Sequence, residues 1–436
     1  MWFDRMLLQV ASAKNRPSQL TTRQIAIKAP PEPYDPKKDL VIRELAFRMK
    51  EAVDAKSPRV LFIGGHLIKS GLSRYLLSLI ADGWITHLAS NGAALIHDYE
   101  LARIERTSED VATNIQDGTF GLWQEIGELN ELVSRKSNVR DTTTRTTASQ
   151  RRASLATLGE WIGEFVVTSP YSLYPGKDCS VAALCNRLQV PWTAHVLIGG
   201  DVFFEHPNCC GRSWGESSYH DFLAFTHTVS CMNQQSVFLN AGSAVTGPEV
   251  FLKALAMARN MARQKNQMIE DFTTAVFDRE LVPEHLDARS PTPSTDPWYY
   301  RRPWKTLMQR TTTASLYVGG DLAITLPKLW EALEQYGNVA KRLPVFLTTR
   351  GGEELIGAVD VGADQEENRL HGRIALEDCC KTCKALHPDW DDVYCSLEAS
   401  RQIAAMLSGG QLNPKLETEI RVAYVKHYGG VPLDAK

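Results

Sequence analysis

The sequence lacks most of the features that would send it to a membrane, to nucleic acid or to the cell exterior. No stretch reaches the roughly 18 consecutive apolar residues that span a bilayer. The apolar patch in MWFDRMLLQVASAKNR is broken at Asp4 and Arg5 before a secretory signal develops. The formal net charge is only -3, so no general field draws the chain to nucleic acid or anionic lipid. Nine cysteines, odd in number and irregularly spaced, form no disulfide framework and read as reduced thiols, which makes the cytoplasm the expected setting. No internal repeat occurs, and no GxGxxG fingerprint. One CxxC is present, Cys380 and Cys383, with Cys379, His387 and Cys395 nearby. On paper these suffice for tetrahedral zinc. LEDCCKTCKALH reads equally well as an amphipathic helix with Leu376, Cys380, Cys383 and Leu386 near one face, its cysteines acting as small apolar residues. With no second CxxC, no metal is expected.

What is there is an ordinary globular chain of 436 residues, 43% hydrophobic and 23% charged, long enough for one large domain with appendages. Residues 1–38 are polar with a proline cluster, KAPPEPYDPKKD, and read as an extended arm. Residues 39–340 alternate short apolar runs with helical patterns. RVLFIGG (59–65), WITHLAS (84–90), VPWTAHVLIGG (190–200) and SVFLNAGSAV (236–245) are each short and apolar, as buried parallel strands are, and glycine ends most of them. SGLSRYLLSLIADG (70–83) and PEVFLKALAMARNMARQ (248–264) are helical. The alternation predicts an α/β fold with a doubly wound, Rossmann-like parallel sheet. Residues 283–298, with several prolines and few large apolar side chains, predict a long surface loop of the kind that often sits over a site. Residues 341–436 predict a helical C-terminal extension.

Ligands bind such sheets at the carboxyl ends of the strands, where glycine-rich turns and helix N-termini expose backbone N–H groups. GGHLIKSG (64–71), SNGAALIHD (90–98) and YVGGD (317–321) are three such ends. Each alone is most simply a tight turn; together they favour a dinucleotide crevice.

GGHLIKSGLSRYLLSLIADGWITHLASNGAALIHDYELA, IGGDVFFEHPNCCGRSWGESSYHDF, SVFLNAGSAVTGPEVFLKALAMARN and DFTTAVFD follow one another in a set order. In that linked set the chain, from about residue 55 to 335, resembles the deoxyhypusine synthase family, and more closely its bacterial deoxyhypusine synthase-like branch. The resemblance implies an NAD-dependent transferase that moves a 4-aminobutyl group from spermidine, through a lysine imine, to an acceptor amine. It also implies a homo-oligomer, a tetramer with sites between paired subunits. The lysine is then Lys305 in YYRRPWKTLMQR, beside Trp304, with Arg301 and Arg302 as like charges that depress its pKa if they point inward. The family's Trp–Gly–Lys is Trp–Lys here.

For the polyamine, the resemblance places Glu216, Glu249 and the aromatic face of Trp304, with Asp278 reaching the ribose or the substrate. Glu249 is equally a carboxylate favoured in the first turn of a helix after Pro248. The synthases proper carry a histidine pair near it that this chain lacks. NAD contacts fall to Gly65, His66, Ser90, Asn91, Gly92, Thr274, Ala275 and Asp321, with Asp98 a further ribose candidate. Cys210 stands where the synthases proper have an aspartate, and His206 in FFEHPN is either a proton-transfer aid or a polar loop residue. The acceptor stays open between a protein lysine and a small amine such as putrescine, giving homospermidine. A non-catalytic NAD-binding protein of the same fold is the remaining alternative.

Overall fold

A computed structural model of the protein describes residues 3–25, 30–141, 156–287, 290–308, 310–336, 341–349 and 352–361. Its strands are β1 (Ser18–Thr21), β2 (Arg59–Ile63), β3 (His87–Asn91), β4 (Arg106–Glu109), β5 (Trp192–His195), β6 (Val237–Ala241), β7 (Thr273–Asp278), β8 (Ala314–Gly319), β9 (Lys341–Thr349) and β10 (Gly352–Val361). Six of them form one sheet in the order β5-β3-β2-β6-β7-β8, every pairing parallel. Counted along the chain within the sheet, that order is third, second, first, fourth, fifth, sixth. This is the arrangement of doubly wound nucleotide-binding domains, whose direction of winding reverses between the first and fourth strands.

The continuous apolar runs follow from burial on both faces. Along β2, Leu61 and Ile63 join one hydrophobic cluster while Val60 and Phe62 join the other; along β6, Leu239 and Ala241 oppose Phe238. Side chains alternate across a strand with period two, so a sheet covered on both sides is apolar along most of each strand, and polar residues such as His87 and Thr193 are hydrogen-bonded to one another inside it. The first cluster is completed by helices Leu40–Asp54, Ser73–Ala81, Gly92–Ile104 and Leu322–Glu334, the second by Gly211–Ser230, Thr246–Gln264 and Arg302–Leu307. Phe225, Phe238, Phe251 and Phe272 line the second cluster and are fully buried; each contributes about 1.5–3 kcal/mol by leaving water. No helix among the described residues is long and apolar enough to cross a membrane.

Buried polar groups fasten the layers. Arg59, at the start of β2, donates to the carbonyls of Ala52, Ser57 and Gly83, and burial lowers its pKa to about 10. Asp221 accepts from the backbone N–H groups of Leu158 and Ala194, tying helix Gly211–Ser230 to β5. The segment expected as an extended arm is, where described, three short 3-10 turns, Arg5–Leu7, Ala13–Asn15 and Thr22–Ile25, with β1 between the last two, and it is docked. β1 pairs antiparallel with β4, Glu125 accepts from Ser12 and from the N–H of Ala13, and Arg16 lies over the Trp123 ring at 5.3 Å. Arg16 also pairs with Glu100 at 2.8 Å, both side chains nearly inaccessible.

The region expected to be helical from residue 341 begins instead with a hairpin, β9 and β10 pairing antiparallel with a register shift between Leu355 and Gly357. The run VFLTT before a glycine pair is strand-forming, with β-branched and aromatic residues ended by turn residues. Residues 362–436, which carry the helical patterns and the CxxC, lie outside the described residues.

A buried ion pair that loses one partner leaves an uncompensated charge. Arg16→Met should therefore lower the unfolding free energy by about 3–5 kcal/mol, and the double variant Arg16→Met with Glu100→Met should recover much of it. Urea denaturation of the two proteins measures both.

Candidate functional site

Because the six strands are parallel, their carboxyl ends meet along one edge, and two groups of residues gather there. The first lies at the reversal between β2 and β6. A Cβ on Gly64 would stand 2.1 Å from the carbonyl oxygen of Gly242, so only glycine allows the two chain ends to pass. Gly242 itself adopts φ +66°, the left-handed conformation that glycine takes without strain. Gly65 packs against Ala93 and His97, where a side chain would collide.

His66 lies on the first turn beyond β2. Burial lowers its pKa, and Lys69 and Arg279 act in the same direction against Asp321. Asp321 caps helix Leu322–Glu334 by accepting from the N–H of Ala323 at 2.9 Å. Asn91 caps helix Gly92–Ile104 through the N–H of Ala94 at 3.2 Å. Beside it, a Cβ on Gly92 would stand 2.3 Å from a carboxylate oxygen of Asp201. Burial raises the Asp201 carboxyl to about 6, against one backbone hydrogen bond from Leu197.

The second group lies where β6, β7 and β8 end. Lys305, in helix Arg302–Leu307, holds its ammonium 4.7 Å from the Tyr299 ring centroid and 5.4 Å from that of Tyr300. Arg302 pairs with Glu249 at 3.1 Å, and Glu249 also binds Lys253. Glu249 is more acidic than usual, chiefly through Lys253 and further through Arg302 and Lys305. Arg301 pairs with Asp278 at 3.1 Å and lies 4.6 Å over the Trp298 ring. Arg301 and Arg302, expected to press on the lysine as like charges, are thus each engaged by a carboxylate.

The structure brings Glu249, Asp278 and Lys305 to this edge. Gly65, His66, Asn91, Gly92 and Asp321 come to the strand ends nearer β2. Several other expected positions fall elsewhere. Trp304, expected to offer a cation–π face, is 3% exposed. Its ring packs edge-on against Trp298 and Tyr317, and its indole N–H donates to Thr292. The faces toward Lys305 come from Tyr299 and Tyr300 instead. Asp98 does not reach the crevice: its carboxylate accepts from Ser180 and from the N–H groups of Val181 and Ala182, and so caps helix Val181–Leu188. Burial raises it to about 6.

Thr274 and Ala275 are fully buried within β7. At about 3.3 Å per residue they sit roughly 10–13 Å back from its carboxyl end. Ser90 accepts from the Trp192 indole at 2.8 Å inside the core. Glu216 accepts from Ser137 on a helix packed along β5, at the opposite edge of the sheet from Lys305. His206 is buried and donates to the Gly121 carbonyl at 2.9 Å, a loop fastening. The Cys210 thiol is more acidic than usual, through Ser213 and the helix N–H groups it precedes.

Three residues had no expected role and stand in these groups: Asp201, Tyr299 and Tyr300. The two tyrosines were signalled by the aromatic density of WYYRRPWK inside an otherwise polar loop. The loop expected over 283–298 does cross this end of the sheet, with Thr292 and Trp298 packed on Trp304. Among the described residues no cluster of three or more His, Cys, Asp or Glu side chains could hold a metal.

No protein-family model matches the chain, and no curated protein is detectably similar to it. Among solved structures, ArgZ, an arginine dihydrolase from cyanobacteria, is 14% identical with a TM-score of 0.39, over 71% of this chain and 33% of its own. A LOR/SDH protein from Methanococcus maripaludis S2 is 14% identical with a TM-score of 0.38, over 71% and 74% of the two chains. A protein assigned as a deoxyhypusine synthase from Entamoeba histolytica is 10% identical with a TM-score of 0.36, over 70% and 96%. This chain thus spans about a third of the length of ArgZ. Likeness at this level carries no argument about chemistry, which rests on the residues themselves.

If Trp304 is a core residue, Trp304→Ala should lower stability by about 3–5 kcal/mol. Tyr300→Ala, at a ring 64% exposed, should change it by less than about 0.5 kcal/mol. Equal small effects in urea denaturation would place Trp304 outside the core.

Proposed function

We propose that the protein is an NAD-dependent transferase that moves a 4-aminobutyl group from spermidine to an acceptor amine, with Lys305 as the group that carries it. The observation that supports this best is the placement of a lysine amine, two tyrosine faces and the carboxylates of Glu249 and Asp278 at one end of the sheet. Aromatic faces and carboxylates are what hold alkylammonium groups. In the free protein both carboxylates engage arginines, so a polyamine ammonium competes with a guanidinium for each.

The switch-point crevice fits a dinucleotide through its small residues, Gly64, Gly65 and Gly242, although the chain lacks the GxGxxG turn. Gly65, His66, Asn91, Gly92 and Asp321 would hold NAD, which when bound supplies a hydride acceptor. Lys305 must shed its proton before its amine can attack an imine carbon. The C–N bond to diaminopropane then breaks and that amine leaves with the proton, while the four-carbon unit stays on the Lys305 nitrogen as an imine until an acceptor amine displaces it. The hydride taken from spermidine must return to the acceptor imine for the product to be an aminobutyl amine. A protein lysine and a small amine such as putrescine are both acceptors of the right chemistry.

One observation favours a second reading. The Lys305 amine lies against the rings of Tyr299 and Tyr300, contacts that suit a lysine holding its neighbours in place as well as one that reacts. On that reading the protein binds NAD and polyamine at the same two places without covalent chemistry.

Incubation with NAD and spermidine, without acceptor, distinguishes the two. The transferase reading expects diaminopropane by mass spectrometry and, after borohydride, an aminobutyl adduct on the peptide containing Lys305. Lys305→Ala should remove both while leaving NAD binding within about threefold. Turnover that survives in Lys305→Ala would end the covalent role assigned to it.

A further inference from the structure

Doubly wound nucleotide domains hold a dinucleotide across the reversal of winding, and an acidic side chain beside it accepts from the ribose hydroxyls. In this sheet the reversal lies between β2 and β6, and β3 is the neighbour of β2 on the other side. The residue that ends β3, Asn91, spends its side-chain oxygen on the N–H of Ala94. A carboxylate reaches the same place from a different strand, since Asp201, in the loop after β5, lies directly on Gly92. Any Cβ at Gly92 would stand within 2.8 Å of three carboxylate atoms of Asp201. The glycine and the carboxylate therefore fit only as a pair.

The loop presents Asp201 in a fixed pose. Leu197 O accepts from the N–H groups of both Gly200 and Asp201, and Asp201 Oδ2 accepts in return from the N–H of Leu197 at 2.7 Å. Among the described residues, no hydrogen bond to Oδ1 and no ion pair of the carboxylate with lysine or arginine is found. Asp201 is half-buried with Oδ1 still open to solvent, and this partial burial makes its charge costlier, raising the carboxyl to about 6. A donor at Oδ1 would relieve that cost. Leu197 and Ile198, 64% and 69% exposed, lie on the same loop and add an apolar surface suited to the face of a purine.

We propose that Asp201 accepts hydrogen bonds from the ribose hydroxyls of the adenosine half of a dinucleotide at the carboxyl end of β3, and so excludes dinucleotides that carry a 2′-phosphate. The proposal rests on the NAD reading above and adds to it a residue and a specificity. An uncompensated carboxylate repels a 2′-phosphate, whereas a hydroxyl gives it the missing donor.

Calorimetric titration of the purified full-length chain with NAD+, NADP+ and 2′-deoxy-NAD+ tests it. The native protein should bind NAD+ about tenfold or more tighter than either of the others. Asp201→Asn should lose about tenfold in NAD+ affinity and bring the NAD+ to NADP+ ratio below about threefold. Its melting temperature without ligand should stay within about 3 °C of the native value. Equal affinity of the native protein for NAD+ and 2′-deoxy-NAD+ overturns the proposal even if Asp201→Asn fails to fold. So does an Asp201→Asn protein that keeps both affinity and preference. If the native chain binds no dinucleotide at all, the NAD reading falls first and this proposal with it.

Discussion

The close passage of Gly64 beneath Gly242 is the constraint on which the rest of the molecule depends. A side chain at Gly64 would occupy the carbonyl oxygen of Gly242, so β2 and β6 can lie side by side only because both ends are glycine. From that point the chain turns to opposite faces. β2 leads into Gly65–Lys69, whose Leu67 and Ile68 join one core cluster. β6 leads into Thr246–Gln264, whose Phe251 and Leu255 join the other. The opening between two elements that diverge in this way cannot be closed by either, and it is where such sheets take their ligands.

The two groups at the carboxyl edge differ in chemical character. Near β2 and β3 the surroundings are small residues, capped helix starts and one carboxylate with an open oxygen. Near β7 and β8 they are aromatic rings and alternating charges, with Arg301 and Arg302 each held by a carboxylate. On the proposed reading, the first half takes the nucleotide and the second the flexible cation. The aromatic half also depends on core packing. Trp304 is buried so that its neighbour Lys305 is turned outward between Tyr299 and Tyr300, and the loop carrying these tyrosines is pinned by Trp298 and Thr292.

Much of the frame was legible in the chain because period and punctuation report burial directly. RVLFIGG and SVFLNAGS read as strands buried on both faces, since Arg59 and Asn240 apart they are apolar or small and glycine closes each run. Asp98 and Trp304 were misleading for one reason. Polar or aromatic character near a glycine turn is consistent with a ligand contact, yet helix caps and core edges need the same residue types. Thr274 and Ala275 belonged to the right strand at the wrong height. A motif gives the strand, whereas the position of its end is set by the pairing of β7 with β8.

The sequence alone determined the layered α/β architecture, the positions of the glycine turns and the place of Lys305 in an aromatic, basic segment. Each of these is local: alternation over five residues, a turn that needs glycine, a cluster within ten residues of chain. Only the tertiary structure decided that Asp201, more than a hundred residues from Gly92, lies on that glycine. It likewise decided that Glu249 and Asp278 engage the two arginines and that Arg16 is locked to Glu100. Contacts between distant segments depend on strand order and on which side of the sheet each helix falls, and no local pattern carries that information.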